Sequence, residues 1–176
     1  MEQFLKSVER RAFRMAEIAT GSRDDALDVL QDAMLEFVRA YSHKPAEQWK
    51  PLFYRIVQNK IRDWCRRSKV RKIFVTLLPG RRHGQDREDA DPLQAIRDPG
   101  APDPYHGVKT GEAIRRLEAV LKDLPTRQQQ VFLLRVWEGL SVDETATAMG
   151  CSQGSVKTHY SRAINTLQES LKDTWP

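Results

Sequence analysis

Residues 140–163 read LSVDETATAMGCSQGSVKTHYSRA, and the spacing within this stretch decides the fold of the C-terminal part of the chain. Ser141 followed three residues later by Glu144 is a capping box, in which each residue satisfies a free backbone N–H of the other, and it opens a short helix. After Met149, Gly150 supplies the positive φ of a tight turn. Ser152 then caps a second helix. Counting from Val142, the residues Ala146, Gly150 and Val156 fall where a helix-turn-helix needs a small contact residue, a turn glycine and an apolar docking residue. In the second helix Val156, Tyr160, Ala163, Ile164, Leu167 and Leu171 share one apolar stripe. Ser155, Thr158, Ser161, Arg162 and Asn165 face the other way, with Lys157 and His159 on the flanks. No acidic residue occurs between Gln153 and Gln168. An outward face of hydroxyl, amide and cationic groups fits the major groove of DNA; the alternative is a capped helical hairpin used only for packing.

Working back from this motif, Pro125 starts a helix that Gly139 ends, and another helix covers about Thr110 to Lys122. Further upstream the helical period disappears. Pro79, Pro92, Pro99, Pro102 and Pro104, together with Gly80, Gly84, Gly100 and Gly107, crowd the stretch between 79 and 107, and that density of breakers reads as a linker. Only IFVTLL at 73–78 resembles a strand. The expected architecture is all-α: two small helical domains, 1–72 and 110–176, joined by a flexible acidic, proline-rich linker at 73–109, the second being a helix-turn-helix domain.

In the first domain, a helix from about Asp24 to Tyr41 places Leu27, Leu30, Met34, Phe37, Val38 and Tyr41 in one stripe, read as core. Asp28, Gln31, Asp32 and Leu35 lie beside or away from it, an acidic surface with one exposed leucine. The helix from about Pro51 to Ser68 buries Phe53, Ile56, Val57, Ile61 and Trp64. On its far side Arg55, Asn59, Arg62 and Arg66 follow one another at i, i+4, i+7 and i+11, with Lys60, Asp63 and Arg67 to the side. Three guanidiniums and an amide in a row can hold phosphates and hydrogen-bond a base edge. The aromatics Trp49, Tyr54 and Trp64 are near in sequence, and aromatic surfaces beside cations are how unstacked bases are held, although Trp64 falls on the apolar stripe.

The 176 residues carry a net charge of +5, but its distribution is more informative than its sum. Residues 60–82 hold nine basic side chains against Asp63 alone, a local +8, while residues 83–107 come to −4. Such clustering suits a polyanion partner, though a solvated helix face followed by a flexible tail would give the same count. Several classes are excluded. No apolar run approaches a membrane span and the N-terminus MEQFLKSVERR is amphipathic rather than signal-like, so a cytoplasmic protein without membrane insertion is expected. Cys65 and Cys151, the 2 cysteines, form no CxxC pair, so neither a disulfide framework nor a zinc site is expected. His43, His83, His106 and His159 are scattered, and no phosphate loop, nucleophile elbow or metal-ligand spacing occurs. No catalytic residue, metal or cofactor is expected.

Three stretches, DALDVLQDAMLEFVRAY (25–41), WKPLFYRIVQNKIRDWCRR (49–67) and LKDLPTRQQQVFLLRVWEGLSVDETATAMGCSQGSVKTHYSRA (121–163), resemble in this order the extracytoplasmic-function group of bacterial sigma-70 factors. The resemblance implies a sigma subunit that binds core RNA polymerase and recognises and melts promoter DNA. It assigns the minus-ten element to the first domain, with Arg55, Asn59, Arg62, Asp63, Arg66 and Arg67 facing DNA. It assigns the minus-thirty-five element to Ser155, Lys157, Thr158, His159, Ser161 and Arg162, and core polymerase contact to Asp28, Gln31, Asp32 and Leu35. The linker is expected to run through polymerase channels, and an anti-sigma factor is a further partner open to such a protein. His159 stands where arginine is common in the family, and Thr145 and Thr147 replace larger residues. The competing reading is an autonomous helix-turn-helix regulator, which would bind its operator without polymerase.

Overall fold

The computed structural model describes residues 1–77 and 104–172, with side chains described for 1–70 and 114–172. Among the described residues the chain is helical throughout: α1 (Glu2–Thr20), α2 (Arg23–Tyr41), α3 (Trp49–Leu77), α4 (Pro104–Asp123), α5 (Thr126–Phe132), α6 (Val142–Met149) and α7 (Gln153–Leu171). The acidic stretch expected to act as a linker lies mostly outside the described residues. IFVTLL is no strand, since α3 continues through Leu77.

α1 to α3 form the first lobe. α1 ends at Gly21, whose φ of 72° lets its N–H reach the Glu17 carbonyl and turn the chain. Ser22 then caps α2 by accepting from Asp25 N–H, with Asp24 and Asp25 in the first turn, where negative charge complements the helix dipole. α2 is rotated from the expected stripe. It buries Ala26, Val29, Leu30, Ala33 and Phe37, while Leu27 and Val38 stay 40% and 41% exposed and Met34 and Tyr41 are only partly covered. Alanines at 26 and 33 let neighbouring helices approach closely, and Leu27, Met34, Val38 and Tyr41 are left at the margin. Phe4, Phe37, Trp49 and Phe53 close the far end of the lobe; the Phe37 and Phe53 rings meet edge to face at 5.6 Å, a geometry worth about 0.5–1.5 kcal/mol beyond burial.

α3 buries Phe53, Ile56, Val57 and Ile61 as expected, with Trp64 partly buried against the core. It also buries Tyr54 and Gln58 completely. Tyr54 is therefore not a free surface for a base, because the second lobe covers that side of the helix.

α4 to α7 form the second lobe around Leu121, Val131, Leu133, Leu134, Leu140, Met149, Val156 and Ala163. α5 passes into a single wide π turn over Leu133–Trp137. Gly139, at φ 67°, ends it, and Leu140 N–H returns to the Leu134 carbonyl at 3.0 Å. The capping box is complete: Glu144 N–H donates to Ser141 Oγ at 3.1 Å and Ser141 N–H to Glu144 Oε2 at 2.7 Å. Gly150 adopts φ 61°, ψ 47°, and Ser152 accepts from Ser155 N–H at 3.1 Å. Thr145 is buried, its hydroxyl donating back to the Ser141 carbonyl at 2.7 Å, so a small side chain suffices there.

Candidate nucleic-acid interface

The cationic face of α3 is built as a ladder of pairs along the helix. Arg62 donates to the Asn59 side-chain carbonyl. One turn on, Arg66 Nη2 meets Asp63 Oδ1 at 3.3 Å, and Arg67 Nε donates to the Asp63 backbone carbonyl at 3.4 Å. Asn59, Asp63, Arg66 and Arg67 are exposed. These exposed pairs hold each side chain in place at small energetic cost to break, so a phosphate can displace them.

The expected minus-ten residues do not all share one open surface. Arg55 opens onto a cleft shared with Asp143, Thr147, Cys151 and Gln153 of the helix-turn-helix. Arg62 is half-buried, and its guanidinium is pushed below its ordinary range by burial first and then by the like charge of Arg127. Arg127, from the start of α5, also donates to the Met149 carbonyl at 2.9 Å. It lines a groove with Arg62, Cys65, Arg66 and Lys69. Its place beside α3 depends on how the lobes meet, which no local pattern in the sequence signals.

On α7, Lys157, Thr158, Ser161 and Arg162 are exposed, and Ser155 and His159 are partly covered. Val156, Ala163 and Leu167 anchor the opposite side. Thr158 satisfies its hydroxyl on the Gly154 carbonyl at 3.0 Å. Among the described residues neither Lys157 nor Arg162 is in an ion pair. Gln153 donates to Asp143 Oδ1 at 3.0 Å, tying the two helices of the motif together.

The third surface is on α2. Asp28, Gln31, Asp32 and Leu35 are all exposed, Leu35 by 57%. Leu27 and Val38, expected in the core, join them, so the face is mixed acidic and apolar rather than acidic with one leucine. Lys60 of α3 borders it, 2.9 Å from Glu36 and 3.9 Å from Asp32. The hydrogen bond to Glu36 holds the Lys60 ammonium above its ordinary range.

Among the described residues no cluster of metal-binding side chains occurs and no helix is long and apolar enough to cross a membrane.

Residues 1–71 match Sigma-70 region 2 and residues 114–167 match Sigma-70, region 4. Over its length the chain is similar to the RNA polymerase sigma-E factor of Streptomyces coelicolor, 29% identical over 97% of this chain and 85% of that one. It is similar to the sigma-E factor of Streptomyces antibioticus, 30% identical over 84% of this chain and 71% of the other. It also matches the ECF RNA polymerase sigma factor SigM of Mycobacterium tuberculosis, at 28% identity over 97% and 76%. Among solved structures, the Bartonella quintana sigma factor RpoE, in complex with the anti-sigma factor NepR, superposes with a TM-score of 0.67 at 22% identity, over 97% of this chain and 96% of that one. CnrH, in complex with the cytosolic domain of CnrY, gives 0.61 at 20% identity, over 98% and 87%. The chain belongs to the sigma-70 family of RNA polymerase sigma factors, in its extracytoplasmic-function group.

Proposed function

We propose that the chain is a promoter-specificity subunit that joins core RNA polymerase, reads the minus-thirty-five element with α7 and captures the melted minus-ten strand with α3. The observation that carries this reading is α3, where Asn59, a side chain able to discriminate a base edge, is flanked by Arg55, Arg62 and Arg66 on one helix side. Phosphates alone would be held equally well by cations without an amide, whereas holding an opened strand requires groups that prefer the unpaired base. No covalent chemistry is needed, because strand opening draws on the binding of exposed bases.

On α7, the exposed Lys157, Thr158, Ser161 and Arg162 offer donors of the kinds that read G and A edges in the major groove. The mixed acidic and apolar face of α2, with Asp28, Gln31, Asp32 and Leu35, suits a basic, partly apolar docking surface on polymerase. Within this reading the domains are 1–72 and 110–176. The Bartonella quintana RpoE neighbour is in complex with an anti-sigma factor, NepR, which supports counting such an inhibitor among this chain's partners.

The test is run-off transcription from genomic DNA with core polymerase, with and without the chain. Discrete new starts that need both components are expected. Operator binding by the chain alone, with no core-dependent starts, would favour an autonomous regulator instead.

A further inference from the structure

Arg11, Arg14, Lys50 and Lys60 each meet a carboxylate supplied by another element. Arg14 of α1 pairs with Glu118 of α4, and Lys60 of α3 lies 2.9 Å from Glu36 and 3.9 Å from Asp32 of α2. At the seam between the lobes, Arg11 and Lys50 stand 3.9 and 3.8 Å from Oε2 of Glu138, whose side chain is 1% exposed. Further along α3 the pattern breaks. There Arg62 faces Arg127 of the second lobe, and this like charge adds to burial in pushing the Arg62 guanidinium below its ordinary range, with Asp63 offsetting only part of it. Both guanidiniums border one groove of about 280 Å³, lined by Arg62, Cys65, Arg66, Lys69, Thr126 and Arg127. No carboxylate is in that lining. Among the described residues Lys69 and Arg127 are in no ion pair, and Arg66 has an exposed one with Asp63 at 3.3 Å. Arg127 is oriented by donating to the Met149 carbonyl at 2.9 Å, a bond that commits only a small part of its fork of N–H donors.

We propose that this groove binds a compact polyphosphate, taking the diphosphate or triphosphate group of a small anion between Arg62, Arg66 and Lys69 on one side and Arg127 on the other. Cations brought together at low solvent exposure repel one another. Where the fold places other cations between elements it supplies the acid itself; here the counter-charge is left to a ligand. A diphosphate carries both the charge and the several acceptor oxygens that four converging cations can share, and guanidiniums bind phosphate oxygens in pairs with fixed geometry. Thr126 adds a hydroxyl donor. No aromatic ring lines the groove, so a nucleotide would be held by its phosphates with the nucleoside outside. A DNA strand suits the groove less well, because its phosphates bring one charge each at separate positions along the chain and its bases find no ring to stack on. Arg62 and Arg66 are also phosphate ligands in the proposed function, so a polyphosphate and a captured strand exclude each other there. That competition rests on the promoter reading; the site itself does not.

The test is calorimetric titration of full-length wild type, Arg127→Gln and Lys69→Gln with inorganic pyrophosphate, inorganic phosphate, ATP, GTP and a short mixed-sequence single-stranded DNA, at matched ionic strength because charge-driven binding is salt-sensitive. Arg127→Gln removes the charge and keeps a donor for the Met149 carbonyl; Lys69→Gln changes an exposed side chain and decides alone if the first variant fails to fold. The expected result is one saturable pyrophosphate site in wild type, tighter than phosphate by about tenfold or more, and equal binding of ATP and GTP. Each variant should weaken pyrophosphate by about tenfold, the loss of one charge-assisted contact, and Arg127→Gln should leave binding of the single strand within about twofold of wild type. Absence of saturable pyrophosphate binding by wild type, or variants that bind it as wild type does, overturns the site. Equal weakening of pyrophosphate and single strand by Arg127→Gln makes the groove part of the strand path and also overturns it. Pyrophosphate binding that depends on Arg127, in a chain that gives no core-dependent run-off, leaves the site standing and overturns the promoter reading.

Discussion

In the proposed function α3 and α7 both present cations to nucleic acid, but they do so in opposite states of readiness. On α7, Lys157 and Arg162 are exposed and outside any ion pair among the described residues, on a helix with no acidic residue from Gln153 to Gln168. On α3 four of the cations are already occupied: Arg62 by Asn59, Arg66 and Arg67 by Asp63, and Lys60 by Glu36. Arg55 and Arg62 additionally face the other lobe. A helix that docks into an intact duplex can be preorganised. One that captures a strand must exchange its own pairs for DNA, and so is conditional on the strand being available.

The largest effect should come from α3. Arg62→Ala combined with Arg66→Ala removes two phosphate ligands, and should weaken closed and open complexes alike and make log K against log salt shallower by about 2. Asn59→Ala should spare core binding and closed-complex formation while reducing open complexes, because it removes base discrimination but no charge. Permanganate reactivity of unpaired thymines, alongside binding to pre-melted fork DNA, separates the two. Normal strand opening by both variants would mean that the face is only solvated.

α7 should respond by specificity rather than by opening. Arg162→Ala, on the outward face, is expected to change sequence preference by about 1–3 kcal/mol at one position. Lys157→Ala, on the flank, should weaken all sequences evenly. Binding to a randomised minus-thirty-five library distinguishes them; identical preference profiles for wild type and Arg162→Ala would remove Arg162 from base reading.

The same contrast explains what could be read without coordinates. The second lobe was legible to the residue at Ser141, Glu144, Gly150 and Ser152, because caps and turns are local chemistry. The register of α2 was less so. Large apolar residues suggested Leu27 and Val38 for the core, yet close helix packing selected Ala26 and Ala33. The seam was not legible at all. The contacts that join Gln58 and Glu138 across it link residues 72 and 88 positions apart in sequence, and nothing in VWEGL marks its glutamate as buried against another lobe.

The smallest effect expected lies in the two caps of the helix-turn-helix, which differ in the same sense. α6 carries the acidic capping box, whereas α7 places Ser155 where the box would put Glu, with its hydroxyl 2.9 Å from that of Ser152. The Ser141 backbone N–H is the main cause that holds the Glu144 carboxyl below its ordinary range. A depressed carboxyl contributes stability that is complete above its unfolded pKa and is lost as pH falls through the folded value. Glu144→Gln keeps an acceptor for Ser141 N–H but not the charge, so it should melt below wild type near neutrality, change less with pH, and converge with wild type on acidification. Ser155→Glu should do the reverse: it completes a box on α7, adds a cap contribution of at most about 1 kcal/mol with an acid-sensitive part, and sets a carboxylate against the DNA backbone. Thermal melts across the acidic range, paired with duplex binding near neutral pH, test both. Should Ser155→Glu gain stability with no loss of DNA binding, the first turn of α7 would not face phosphate, and the absence of acid on that helix would need another cause.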